Sequence, residues 1–112
     1  MINAAAISEI IAIYRKHGWI LRRILLTAAM KDRLGKDAAQ LFDEVQAIDS
    51  DIDAAWFSRL PKQGGVAWEI RHLSDAPYAL LENIDENASG FEDALHSVES
   101  RLREMLRIGK SA

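Results

Sequence analysis

Apolar positions recur at helical spacing near both ends of the chain and at strand spacing through its middle. In "SGFEDALHSVESRLREMLRIG", Phe91, Leu95, Val98, Leu102 and Met105 alternate spacings of four and three, which is one stripe of a helix. Ser89 and Glu92 form an S-x-x-E capping box ahead of it. Arg101, Arg103 and Arg107 crowd the C-terminal half, where cations suit the helix dipole, and Gly109 can end it in the left-handed conformation. The pattern predicts a helix over 90–108. Near the N-terminus, Ile7, Ile10, Ile11 and Tyr14 share a face, with Asn3 able to cap and Gly18 able to stop a first helix. Segment 36–47 repeats the helical pattern with Ala38, Leu41, Phe42 and Val45, and Asp37 stands in its first turn.

Segments 52–60, 66–73 and 78–85 read as strands. "PKQGG" joins the first pair and "SDAP" the second, both rich in turn formers, so the three strands form an antiparallel meander. Segment 19–34, "WILRRILLTAAMKDRL", suits a helix through Ile20, Ile24 and Ala28, and a strand through Trp19, Leu21, Leu25 and Thr27. We read 19–28 as a strand, because Gly18 separates it from the first helix and the meander gains a fourth partner. The expectation is one α+β domain over 1–112. Its order is α-β-(α)-β-β-β-α, with a two-layer, four-stranded antiparallel sheet and the N- and C-terminal helices on one face. The element order is similar to that of roadblock-type and secretion-chaperone-type small domains, a likeness of order without a motif.

The hairpin "IDAAWFSRLPKQGGVAWEIRHL" invites a chemical question, because Asp53 and Glu69-x-Arg71 resemble the acid…E-x-K pattern of metal-dependent nucleases. Register decides it. With Gln63 at the centre of the loop, Leu60 faces Val66, Ser58 faces Trp68 and Trp56 faces Ile70. Ile52, Ala54, Trp56, Val66, Trp68, Ile70 and His72 then share one apolar face. The other carries Asp53, Ala55, Phe57, Arg59, Glu69 and Arg71, with Asp53 diagonal to Arg71 and Arg59 diagonal to Glu69. Asp53 falls opposite Leu73, four residues from Glu69, or roughly 13 Å along the strand, too far to share one ion. Arg71 stands where the motif has lysine, and arginine stays protonated. A ladder of charge pairs is the better account of this face.

Composition narrows the field. The 112 residues include 49% hydrophobic ones, enough for one core, and no cysteine, which excludes disulfides, thiolate metal sites and a cysteine nucleophile. The lack of cysteine fits the cytoplasm. Glu9 interrupts the first apolar run and no basic segment precedes it, so we read neither a signal peptide nor a membrane span. Residues 1–36 carry seven Lys/Arg against two Asp/Glu, a balance of +5, and residues 37–112 carry seven against fifteen, a balance of −8. Internal pairing of these halves, or head-to-tail attraction between copies, explains the split better than a phosphate-binding patch. Arg22 and Arg23, on opposite faces of a strand, would not form one patch either, which speaks against a nucleic-acid partner.

Other candidates thin out on inspection. His17 lies at a helix end, His72 on the apolar hairpin face and His96 beside the last stripe. None has a second histidine three or four residues on. The acidic run Asp43, Glu44, Asp49, Asp51 and Asp53 lacks the glycine and glutamate of an EF-hand loop. Gly64-Gly65 reads as a loop needing positive φ, not as a phosphate cradle. No cofactor is implied. Phe57, apolar on the charged face, is a contact surface if that face is open and core if a helix covers it.

"WFSR" at Trp56–Arg59, "WEIRHL" at Trp68–Leu73 and "HGW" at His17–Trp19 resemble a group of small bacterial proteins of unassigned function. The resemblance implies a compact α+β domain, with no reaction and no catalytic residue. The leading expectation is a non-enzymatic interaction or structural domain. It would self-associate through a sheet edge or the last helix, or bind another protein through Phe57, Arg59, Glu69 and Arg71. The second is a small-ligand or enzymatic pocket at Trp56, Trp68 and His72. The third is the disfavoured nuclease-like hairpin.

Overall fold

The computed structural model describes residues 2–43, 45–60 and 66–111, the last four by backbone alone. Its elements are α1 (Ala4–Lys16), β1 (Ile20–Leu26), α2 (Ala28–Leu34), α3 (Asp37–Leu41), β2 (Ala47–Asp49), β3 (Ala54–Arg59), β4 (Ala67–His72), β5 (Ala79–Asn83) and α4 (Phe91–Ser111). The sheet order is β2-β1-β3-β4-β5, with β1 and β2 parallel and the other pairs antiparallel. The α+β class stands, and three details are corrected. Among the described residues the sheet has five strands and is mixed. Helix 36–47 ends at Leu41, and Ala47, its last expected residue, begins β2. The terminal helices lie on opposite faces.

Each correction has a local cause. Thr27 closes the first strand, because its side chain caps α2 through a 3.1 Å bond from the Met30 N–H. Gly35 (φ +52) breaks α2 from α3, and Asp43 (φ +57) turns the chain into the approach to β2. The α2–α3 passage supplies the crossover that a parallel pair requires. At the N-terminus the expectation holds. Asn3 accepts from the Ala6 N–H at 2.9 Å, and Gly18 (φ +86) ends α1. At the other end, α4 runs through Gly109 to Ser111 instead of stopping there. The PKQGG loop, with Gly64-Gly65, lies outside the described residues.

Two apolar clusters sandwich the sheet, and β3 belongs to both. Ala55 and Phe57 join Ile7 and Ile11 of α1, Met30 and Leu34 of α2, Leu21, Ile24, Leu26 and Phe42 on one side. Ala54 and Trp56 join Trp68, Ile70 and Leu95, Val98 and Leu102 of α4 on the other. The unbroken apolar run of β3 is thus that of a strand covered twice. Leu95, Val98 and Leu102 of the α4 stripe, with Phe91, pack on the sheet, and each buried leucine there contributes about 1.5–3 kcal/mol.

The predicted hairpin register holds: Trp56 pairs with Ile70, Ser58 with Trp68 and Phe57 with Glu69. The pairing of β1 with β3 slips by one residue between Leu21 and Arg23, a β-bulge at Arg22. A bulge sets two residues of one strand against one of the other and breaks the alternation of faces. Arg22 and Arg23 therefore both serve the α4 face, which corrects the expectation that they point apart.

Candidate functional site

On the α4 face, Trp56 and Trp68 pack edge to face with centroids 6.1 Å apart, and Phe91 meets Trp68 at 5.2 Å. Trp56 is fully buried and donates its indole N–H to Glu99 at 2.9 Å. Glu99 is itself only 6% exposed, a buried carboxylate with an aromatic donor. The Trp68 Nε1 has no hydrogen-bond partner, alone in this among the buried side-chain polar atoms described. Arg22 lies 4.7 Å over the Trp68 ring and bonds Ser58 and Glu86, while Arg23 lies 5.6 Å over Phe91 and forks onto Glu92. That fork holds the Glu92 carboxyl below the usual carboxylate range. It also takes Glu92 away from the capping box expected with Ser89. His72, on the same face as the tryptophans, has its Nδ1 2.8 Å from the Ser74 hydroxyl in the β4–β5 turn. The expected pocket residues are thus two core indoles packed edge to face and a histidine at the end of β4.

The α1 face is closed differently. Phe57 is fully buried, because Tyr14 stacks on it at 4.0 Å. This answers the question the sequence left open: Phe57 is core and offers no contact surface. The Tyr14 hydroxyl donates to Glu69, and burial first, with that carboxylate second, pushes the hydroxyl well above its ordinary value. Trp19 meets Tyr14 edge-on at 6.0 Å, and Arg59 lies 4.5 Å over Trp19 while donating to the His17 carbonyl at 3.3 Å. Ile13, Tyr14, His17, Trp19, Arg59 and Glu69 line an open cleft of about 210 Å³. Two of the four expected surface residues, Arg59 and Glu69, therefore line one cleft. Arg71 ties the β4–β5 turn through the His72 and Ala76 carbonyls. The expected charge ladder gives way to these aromatic and backbone partners. Tyr14 and Trp19 complete the cleft, and of these only Tyr14 had been placed by its helical stripe.

Asp53 and Glu69 do not meet. The Leu73 N–H donates to the Asp53 carbonyl, four residues along β4 from Glu69. The Asp53 carboxylate accepts from the Thr27 N–H at 2.8 Å and so anchors the start of α2. Among the described residues no three His, Asp or Glu side chains gather as a metal-binding group. His17, at the end of α1, folds its Nδ1 onto the Ile13 carbonyl at 3.0 Å. His96 lines a cleft of about 400 Å³ between α4 and the β1–β2 side, with Arg23, Glu99 and Arg103. Arg22–Glu86, Arg23–Glu92 and Lys31–Asp49 each join a cation of the first 36 residues to an anion of the remainder, so the charge polarity is at least partly spent inside the fold.

The two sheet edges differ. On one, β2 has three residues, and Lys31 of α2 pairs with its Asp49. On the other, β5 has five, and among the described residues no strand lies beyond it. The His72 N–H donates to the Tyr78 carbonyl and the Ile84 N–H to the Val66 carbonyl. Bonded pairs alternate along an antiparallel ladder, so Tyr78, Leu80, Glu82 and Ile84 turn their backbone groups toward β4. Ala79, Leu81 and Asn83 turn theirs outward. Leu81 is 59% exposed, and the only charge on the strand, Glu82, is engaged by Arg101 at 2.5 Å. No described helix is long and apolar enough to cross a membrane. Searches of protein-family models, of curated proteins and of solved structures find no match to the chain.

Proposed function

We propose that the chain is a non-enzymatic protein-interaction domain whose contact element is the β5 edge. The observation that carries this is the pairing parity of β5. Its outward backbone groups belong to Ala79, Leu81 and Asn83, and the same edge exposes a leucine. Proteins blunt such edges with lysine, proline, bulges or a covering element. Pro77 stands before β5 rather than in it, and the strand has no lysine. An added strand gains affinity from main-chain bonds and specificity from alternate side chains. The aromatic groups Trp56 and Trp68 support this reading, since they are spent in the core between the sheet and α4. The protein is expected to act in the cytoplasm.

The test is a photo-crosslinking residue at position 81, with position 20, also exposed, as the control. In the native cell, irradiation should give one or a few products of discrete mass from position 81 and none of these from position 20. Equal products from both positions, or none from 81, would overturn the reading.

A further inference from the structure

We infer that the occupant of the β5 edge is a second copy of this chain, paired antiparallel about a two-fold axis at Leu81. The inference rests on the proposed role of that edge and names its partner.

A two-fold axis normal to the sheet can centre on any residue of β5, and the sequence "PYALLENI" ranks the choices. Centring at Glu82 sets two like charges directly opposite, which is unfavourable. Centring at Leu80 puts Asn83 opposite Pro77, which has no N–H, and forfeits an outer bond. Centring at Leu81 pairs Ala79 with Asn83 of the partner and Leu81 with its own copy. All three outward-facing residues then exchange bonds, about six across the axis. Leu80 falls opposite Glu82, so the carboxylates stay apart. The two Leu81 side chains lie side by side on one face and cover each other. One continuous ten-stranded sheet results, with both α4 helices on the same side. The contact is small, so association should be reversible and fall in the weak class of interfaces.

The chain has no cysteine, so single cysteines report position without background. Under mild oxidation of the purified full chain, Leu81→Cys should form a disulfide dimer readily, since directly opposed Cα atoms stand about 5.5 Å apart. Ala79→Cys and Asn83→Cys should each cross-link poorly alone and well when mixed. Sedimentation should show wild-type dimer rising with concentration, and Leu81→Lys weakening it by up to about fivefold through like charges on the axis. An unaltered circular-dichroism spectrum confirms that this variant is folded. A chain that stays monomeric at every concentration, or a dimer that cross-links best at α4, overturns the inference. If position 81 photo-crosslinks in the cell to a different protein and the purified chain is monomeric, the second copy is wrong and the edge reading survives. If neither occurs, both fall.

Discussion

The two faces of the sheet bury aromatic rings of similar size and finish them with different chemistry. On the α4 face a carboxylate is taken into the core: Glu99 sits almost wholly buried against the Trp56 indole, and Arg22 and Arg23 lie as lids over Trp68 and Phe91. On the α1 face the carboxylate stays at the rim: Glu69 lines an open cleft and accepts a hydrogen bond from the Tyr14 hydroxyl. Arg59 caps Trp19 there as the bulge arginines cap the other face. A polar group that must be satisfied in the core costs far more to disturb than one that water can reach. The α4 face should therefore carry the larger share of the fold's sensitivity to substitution.

The largest break in that comparison is Trp56→Ala. It empties a fully buried site in the central strand and leaves Glu99 without its donor, so a loss of about 3–5 kcal/mol is expected in urea denaturation. The same change at Phe57 is less discriminating, because both sites are core. The indole–carboxylate pair itself is isolated by a cycle. Glu99→Leu should cost about 1–3 kcal/mol by orphaning the indole N–H, and Glu99→Leu with Trp56→Phe should cost clearly less than the two changes summed. Strict additivity would show that the pair is geometric coincidence.

The smallest effect belongs to the rim. Tyr14→Phe keeps the stacking on Phe57 and removes one bond, a loss of about 1 kcal/mol at neutral pH. Its signature is pH dependence. The hydroxyl is raised in the folded state above its ordinary 10.0. That contribution is therefore complete below about pH 10 and lost as pH rises beyond it. The wild type should lose stability on this alkaline side more steeply than Tyr14→Phe. Identical slopes would remove Tyr14 as the titrating group.

The sequence disclosed what depends on local period. The hairpin register followed from alternation around one turn, and α1 and α4 followed from their stripes, Asn3 and Gly18 included. The pattern could have disclosed more. "AAWFS" is apolar at both parities, so β3 had to be covered on both faces, and the terminal helices had to divide between them. Other features had no such mark. β2 is three residues long and pairs in parallel across a crossover, so nothing adjacent in the chain announces it. The bulge at Arg22 is set by tertiary packing, because alternation within "ILRRILL" runs equally well without it. The surface expected at Phe57 failed for a related reason: a charged strand face reads as solvated until the helix that covers it is known. The open β5 edge needed the whole sheet order, since any strand of a meander can be the last one.

The same bulge fixes a reading frame within β1. Leu21 and Ile24 stand three residues apart and yet serve the same cluster. Flat alternation would send one of them to the far side. The extra residue is thus a phase shift, and β1 is two half-strands of opposite parity joined at Arg22. A chain one residue shorter at this point would keep both halves in phase with their cores, because the spacing would become two. A chain shortened by one residue in β1 outside the Arg22-Arg23 pair would throw one half out of phase. Length variation in this strand is therefore quantised, and its tolerant point is the arginine pair that places guanidinium groups over Trp68 and Phe91.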